Sequence, residues 1–184
     1  NMSLQLTMVK NLLDLSIGIY KQFQKKWLKM YSQVLLENNF ITKKECKKLI
    51  NFYKSKPLPK QFDNTFPLGL IATDYLNLIK KLNKVSIKLN NSVVDYFQIV
   101  KWPSPSVGKF LHLDFAHSHT SLSSIIYLND EFEGGHTYFE DKTSFAPLTG
   151  RAIFFDGQYF KHGVSNIQGK DRYTVATWFK KNEF

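Results

Sequence analysis

Residues 109–119 read KFLHLDFAHSH, placing three histidines and an aspartate within a few positions of one another in a chain that has five histidines in all. Lys109 to Phe115 predicts a β-strand, because aromatic and aliphatic residues dominate it and no stripe of helical period runs through it. On a strand, residues i and i+2 share a face, so the side chains of His112 and Asp114 emerge side by side. An imidazole and a carboxylate presented in this way can hold one metal ion from adjacent coordination positions. The bland alternative is a hydrogen-bonded surface pair, and the His-x-Asp spacing alone does not choose between the two.

The surroundings of this stretch predict the fold. From residue 95 onward, short apolar runs alternate with turn residues: strands near 95–102, 109–115, 121–128, 136–140, 151–156, 161–166 and 172–179, with turns at PSPSVG, NDEFEGG, APLTG and QGKD. That pattern is an all-β sandwich or barrel. The first half reads helical instead. Apolar residues recur at three and four over Leu12, Leu13, Leu15, Ile17, Ile19 and Tyr20, and again over Trp27, Leu28, Met30, Tyr31, Val34 and Leu35. A further helix starts at the capping box of Thr42 and Glu45 and runs to about Lys54. Pro57, Pro59 and Pro67 mark a loop. A last helix, from about Asp74 to Leu89, turns Leu76, Ile79, Leu82 and Val85 inward. The expected fold is therefore mainly β with N-terminal helices, an α+β chain with a double-stranded β-helix (jelly-roll) core. With no linker or repeat in sight, residues 1–184 are expected to form a single domain, 1–94 as helical support and 95–184 as the jelly-roll core.

Composition narrows the function classes. Hydrophobic content of 43% with 15% aromatics excludes a disordered chain. No apolar run approaches the ~18 to 20 residues of a membrane span. The opening NMSLQLTMVKNLLDLSIGIY has no basic start leading into an apolar block, so a cytoplasmic location is expected. Cys46 is the single cysteine, which fits a reducing compartment. The net charge of +10 resides in residues 1–100, where 16 lysines face 6 acidic side chains; residues 101–184 carry 9 of each sign. The lysines are spaced as solvated helix faces, so a nucleic-acid partner is not the expected reading despite the charge.

If His112 and Asp114 are two ligands, a third must come from another strand, and His162 offers it. Two histidines and a carboxylate form a facial triad that leaves three positions open on iron. Closed zinc sites use four protein ligands, usually with cysteines, which makes zinc the weaker reading. Ten residues on stands Arg172, one of only two arginines against 23 lysines. Alternation in RYTVATWF puts Arg172, Thr174, Ala176 and Trp178 on one face and Tyr173, Val175, Thr177 and Phe179 on the other. An arginine facing into a barrel needs an anion, such as one end of a dicarboxylate. The competing reading pairs Arg172 with Asp171 at the surface.

The ordered set FQIVKW, HLD, IIYLND, EGGHTYF, APLTGRAIFF, KHGV and GKDRYTVATWF, spanning roughly residues 96–180, resembles the Fe(II)- and 2-oxoglutarate-dependent dioxygenases, in the branch of the prolyl 4-hydroxylases and their lysyl hydroxylase relatives. The resemblance implies His112, Asp114 and His162 as iron ligands and Arg172 as the residue that binds the distal carboxylate of 2-oxoglutarate. Tyr127, Thr137 and Trp178 match positions lining the cosubstrate pocket. Trp102 stands where relatives often have tyrosine, a departure that removes a hydroxyl. Gly134 and Gly135 match a tight turn feeding the next strand. His117, His119 and His136 match no ligand; the first two are expected in a loop over the metal and the third on the outer face. The implied chemistry consumes O2 and 2-oxoglutarate, with ascorbate as a further cofactor, and hydroxylates an aliphatic C–H. The expected substrate is a prolyl residue of a peptide or protein. A free amino acid, a lysyl residue, another small metabolite, or a non-catalytic metal-binding jelly-roll module are the alternatives.

Overall fold

A sheet whose strands alternate in side-chain character becomes a partition, and the central strands of this chain do so. The computed structural model describes residues 34–114 and 119–183. Its compact unit from Leu35 onward contains β1 (Leu35–Glu37), α1 (Lys43–Lys54), β2 (Phe66–Gly69), a 3-10 turn (Ala72–Tyr75), α2 (Leu76–Asn90) and β3 (Ser92–Trp102). These lead into β4 (Lys109–His112), β5 (Thr120–Tyr127), β6 (Glu133–Gly134), β7 (Thr137–Phe139), β8 (Ser144–Phe145), β9 (Ala152–Phe155), β10 (His162–Val164), β11 (Ile167–Gln168) and β12 (Arg172–Lys181). Three antiparallel sheets result among the described residues: a major one in the order β1-β9-β5-β12-β3-β2, a minor one in the order β4-β10-β7-β8 and a two-stranded pair of β11 and β6. The non-consecutive order is that of a jelly roll, with the site between the major and minor sheets.

One face of the major sheet is dry. Leu122, Ile126, Phe154, Tyr173, Val175 and Phe179 pack with Cys46, Leu49 and Tyr53 of α1 and Leu78 and Leu82 of α2. The helices are built for this. Thr42 caps α1, its hydroxyl accepting from the Glu45 N–H at 3.1 Å while the Glu45 carboxylate accepts from the Thr42 N–H at 2.7 Å. Cys46, Leu49 and Tyr53 then fall on one stripe. Asn91, in the left-handed region at φ 46°, ends α2, and its N–H reaches back to the Ile87 carbonyl.

Several sequence expectations are corrected here. Leu35 is in β1, paired with Phe154, rather than in a helix; a three-residue edge strand is too short to show a period. Pro67 lies inside β2 rather than in a loop, which a proline tolerates because β2 is the outermost strand of its sheet. Ile79, Leu82 and Val85 of α2 face the core as expected, but Leu76, where the 3-10 turn at Ala72–Tyr75 meets the helix, is 56% exposed and Leu78 is buried instead. β4 ends at His112, so Asp114 stands just past the strand rather than within it. The helical stripes expected over residues 12–31 lie outside the described residues.

Candidate active site

Strand pairing brings the two histidines together. β4 and β10 are antiparallel with His112 opposite His162, and the ring centroids are 4.4 Å apart. In each ring Nδ1 is held by a main-chain carbonyl two residues back, Phe110 O at 3.0 Å for His112 and Phe160 O at 3.1 Å for His162. A carbonyl can only accept, so Nδ1 carries the proton in the neutral ring and Nε2 keeps its lone pair. Asp114 is fixed by its own N–H, which donates to Gly157 O at 2.8 Å, and by Ser123, whose hydroxyl donates to Oδ2 at 2.6 Å. Oδ1 then faces the histidines, 3.9 Å from Nε2 of His112 and 3.7 Å from Nε2 of His162.

The ligand atoms of His112, Asp114 and His162 all lie within 4.8 Å of one another. Two imidazole nitrogens and one carboxylate oxygen on a single side are one face of an octahedron, the donor set of a mononuclear iron(II) site. Protonation states suit it. Burial pushes His162 down to about 4, only partly offset by the Asp114 charge, and burial likewise lowers His112. Both rings are therefore neutral near pH 7, the form that ligates metal. Two further positions leave the ligands no slack. A Cβ on Gly157 would stand 2.3 Å from Ser123 Oγ and 2.5 Å from Asp114 Oδ2. Phe155 packs edge-on against His162 at 4.5 Å.

Arg172 lies deep in the same cavity, 1% exposed. Its Nε donates to the Gly135 carbonyl at 3.0 Å and one terminal nitrogen to Thr137 Oγ1 at 3.4 Å. The guanidinium is stacked against the rings of Trp102 and Tyr127, at 5.6 and 5.3 Å from their centroids. Burial lowers its pKa and no carboxylate among the described residues counteracts that. The competing expectation, a pair with Asp171, is excluded: Asp171 binds Lys101 at 3.0 Å and the Ser104 N–H at 3.0 Å. Gly135, at φ 62°, lets the chain pass Arg172 this closely, since a Cβ there would meet the arginine Cδ at 3.0 Å.

The cavity of about 510 Å³ is lined by the cavity face of β12 (Arg172, Thr174, Ala176, Trp178) and by Trp102, Val100, Gln98 and Tyr96 of β3. His112, Asp114 and His162 line it as well. The structure thus brings Arg172, Trp102 and Trp178 into one space with the three ligating side chains. Tyr127 and Thr137 sit behind the guanidinium and brace it, the tyrosine hydroxyl donating to Thr137 Oγ1 at 2.8 Å. His119 turns to Asp95 at 2.9 Å, away from the cluster; His136 contacts Ser144 at 3.3 Å; His117 lies outside the described residues. Ser123, Gly157 and Phe155 were not singled out by sequence, because cross-strand pairing rather than any local motif places them here. The Asp-Gly step at 156–157, closing a strand, is the one local signal that could have pointed to Gly157.

Residues 98–180 match the family model of the 2OG-Fe(II) oxygenase superfamily. A 71-residue stretch is 39% identical to prolyl 3-hydroxylase 1 of Gallus gallus, covering 35% of this chain and 10% of that protein. A 73-residue stretch is 32% identical to a putative prolyl 4-hydroxylase of Acanthamoeba polyphaga mimivirus, covering 34% of this chain and 30% of that protein. The chain thus spans only about a tenth of the length of the first of these relatives and under a third of the second. In fold it is similar to the viral collagen prolyl hydroxylase of Paramecium Bursaria Chlorella virus-1, solved as a 2OG complex. The TM-score is 0.68 at 20% identity over 82% of this chain and 97% of that one.

Proposed function

We propose that this chain, whose residues 98–180 match the family model of the 2OG-Fe(II) oxygenase superfamily, is a member of it: an iron(II)- and 2-oxoglutarate-dependent hydroxylase acting on a prolyl residue of a peptide or protein. The observation that carries the reading is one cavity with a one-sided His-Asp-His donor set and, apart from it, a buried arginine without an acid. The prolyl substrate is supported by the names of the relatives the sequence matches.

The residues present fit the implied groups. His112 and His162 would hold iron through Nε2 and Asp114 through Oδ1. Iron(II) with 2-oxoglutarate and O2 supplies the oxidising equivalents for hydroxylating an aliphatic C–H, 2-oxoglutarate leaving as succinate and CO2. Everything else is positioning. Arg172 receives the distal carboxylate of 2-oxoglutarate, and the anion recovers the electrostatic cost of burying the guanidinium. Trp102 and Tyr127 flank the guanidinium, so its fork is set before the anion arrives. Ser123 occupies Oδ2 of Asp114 and leaves Oδ1 for the metal. Val100, Ile125, Phe155 and Val164 wall the cavity with hydrocarbon and keep water from the reacting centre.

The test is anaerobic titration of iron(II)-loaded protein with 2-oxoglutarate, following the visible metal-to-ligand charge-transfer band, in the natural chain and in Arg172→Ala. The expected result is a band in the natural chain that needs at least about tenfold more 2-oxoglutarate in the variant, the loss of one charge-assisted contact. Iron binding without any band would overturn the assignment.

A further inference from the structure

The cavity is longer than the cosubstrate reading requires, and at its far end Tyr96 and Gln98 line it without a part in that reading. β12 pairs with β3 in the rungs Arg172–Trp102, Thr174–Val100, Ala176–Gln98 and Trp178–Tyr96. The arginine rung and the Tyr96–Trp178 rung are thus six residues, roughly 20 Å of strand, apart. A five-carbon diacid anchored on Arg172 and reaching toward the metal stops short of the last rung. That rung continues across the sheet: Trp178 is opposite Ser123 of β5, and Ser123 is opposite Phe155 of β9. Tyr96, Trp178, Ser123 and Phe155 form one row. Ser123 holds the Asp114 carboxylate and Phe155 packs on His162, so Trp178 stands one strand, about 5 Å, and Tyr96 two strands, about 10 Å, from the side chain that orients the metal ligand.

The pair is arranged as a platform. The Tyr96 and Trp178 rings are stacked with centroids 5.8 Å apart and planes 23° from parallel. Tyr96 is 39% exposed, on the wall of the cavity rather than under it. Its hydroxyl donates to Gln98 Oε1 at 3.1 Å, which holds the side-chain carbonyl and leaves the amide N–H groups of Gln98 as donors on the cavity wall. The opposing strand makes room: a Cβ on Gly69 of β2 would come to 3.0 Å from the Tyr96 hydroxyl. Flat aromatic surface beside an amide donor suits an uncharged, saturated ring followed by a peptide carbonyl, which binds by dispersion against the aromatic face and one hydrogen bond.

We infer that Tyr96 is a specificity-determining residue: with Trp178 it seats the substrate's prolyl ring beside the metal, and through its hydroxyl it orients Gln98 toward the adjoining peptide carbonyl. The inference rests on the prolyl-hydroxylase reading and is tested apart from it. Binding of poly-L-proline to the iron- and 2-oxoglutarate-loaded protein is measured anaerobically by calorimetry for the natural chain, Tyr96→Ala and Tyr96→Phe, with the charge-transfer band of each recorded first. The expected result is at least about tenfold weaker binding in Tyr96→Ala and about two- to fourfold in Tyr96→Phe, which keeps the ring and loses the hydroxyl. The 2-oxoglutarate titration should be unmoved in both variants, showing that each is folded. Equal affinity for all three proteins, or no binding to the natural chain, overturns the inference while leaving the band, and with it the oxygenase reading, intact. Absence of the band in the natural chain is the separate failure of that reading.

Discussion

The two faces of β12 obey opposite rules. Toward the helices it presents Tyr173, Val175 and Phe179, all buried in hydrocarbon, and this face holds the molecule together. Toward the minor sheet it presents Arg172, Thr174, Ala176 and Trp178, where a guanidinium is buried without an acid and space is left unfilled. Neighbouring residues on one strand therefore differ in whether they stabilise the fold or draw on its stability. A jelly roll can host such a site because its outer layer, α1 and α2 against the major sheet, makes up what the inner face gives away.

The comparison breaks most visibly at Phe179, which has no solvent exposure. Phe179→Ala should lower the unfolding free energy by about 3–5 kcal/mol in urea titrations, while the protein that remains folded binds 2-oxoglutarate as before. Arg172→Ala should do the reverse. Cosubstrate affinity should fall about 100-fold, near 3 kcal/mol, with no loss of unfolding free energy, because a desolvated cation is removed along with its contacts. If both variants lose stability alike, the division between the faces is wrong. Gly157→Ala sharpens the claim that the inner face is held by close approach: its Cβ would displace Ser123 or Asp114, and iron affinity, read by chelator competition, should drop about tenfold with the cooperative unfolding transition retained. The smallest effect tests the helix layer. Glu45 has a lowered pKa, chiefly because its carboxylate accepts the Thr42 backbone N–H. A carboxylate with a depressed folded pKa stabilises above its unfolded value of 4.5, and that contribution fades as the pH falls through the folded value. Glu45→Gln should flatten this acid limb of the stability curve, whereas Thr42→Ala, which keeps the backbone N–H, should cost about 1 kcal/mol at pH 7 and leave most of the limb in place.

What was legible in the sequence was what alternation and spacing carry. His112, His162 and Arg172 stand on strands as alternation and motif order predict, Asp114 shares the cavity from just past the end of β4, and the capping box of Thr42 marked the start of α1. What escaped depends on pairing between distant segments. Ser123 acts because β5 places it against Asp114, and nothing in SLSSIIYL distinguishes it from Ser124, the next residue along the strand. Tyr96 matters through its stack on Trp178, a partner 82 positions along the chain that β3–β12 register alone supplies. β1 and β2 were missed because short edge strands carry too few residues for a period. The phase of α2 was legible in Ile79, Leu82 and Val85, and only Leu76, at the junction with the 3-10 turn, departs from it.

Both ligating imidazoles take their orientation from the main chain, each tied to the carbonyl two positions before it. Their aim is thus a property of the backbone and needs no helper side chain. The carboxylate between them is different, relying on the Ser123 hydroxyl and the bare Gly157. In evolutionary terms the site has two robust corners and one fragile one. The sequence around the histidines can drift as long as β4 and β10 stay paired, whereas the corner at Asp114 ties two remote positions to each other and permits change only when both change together.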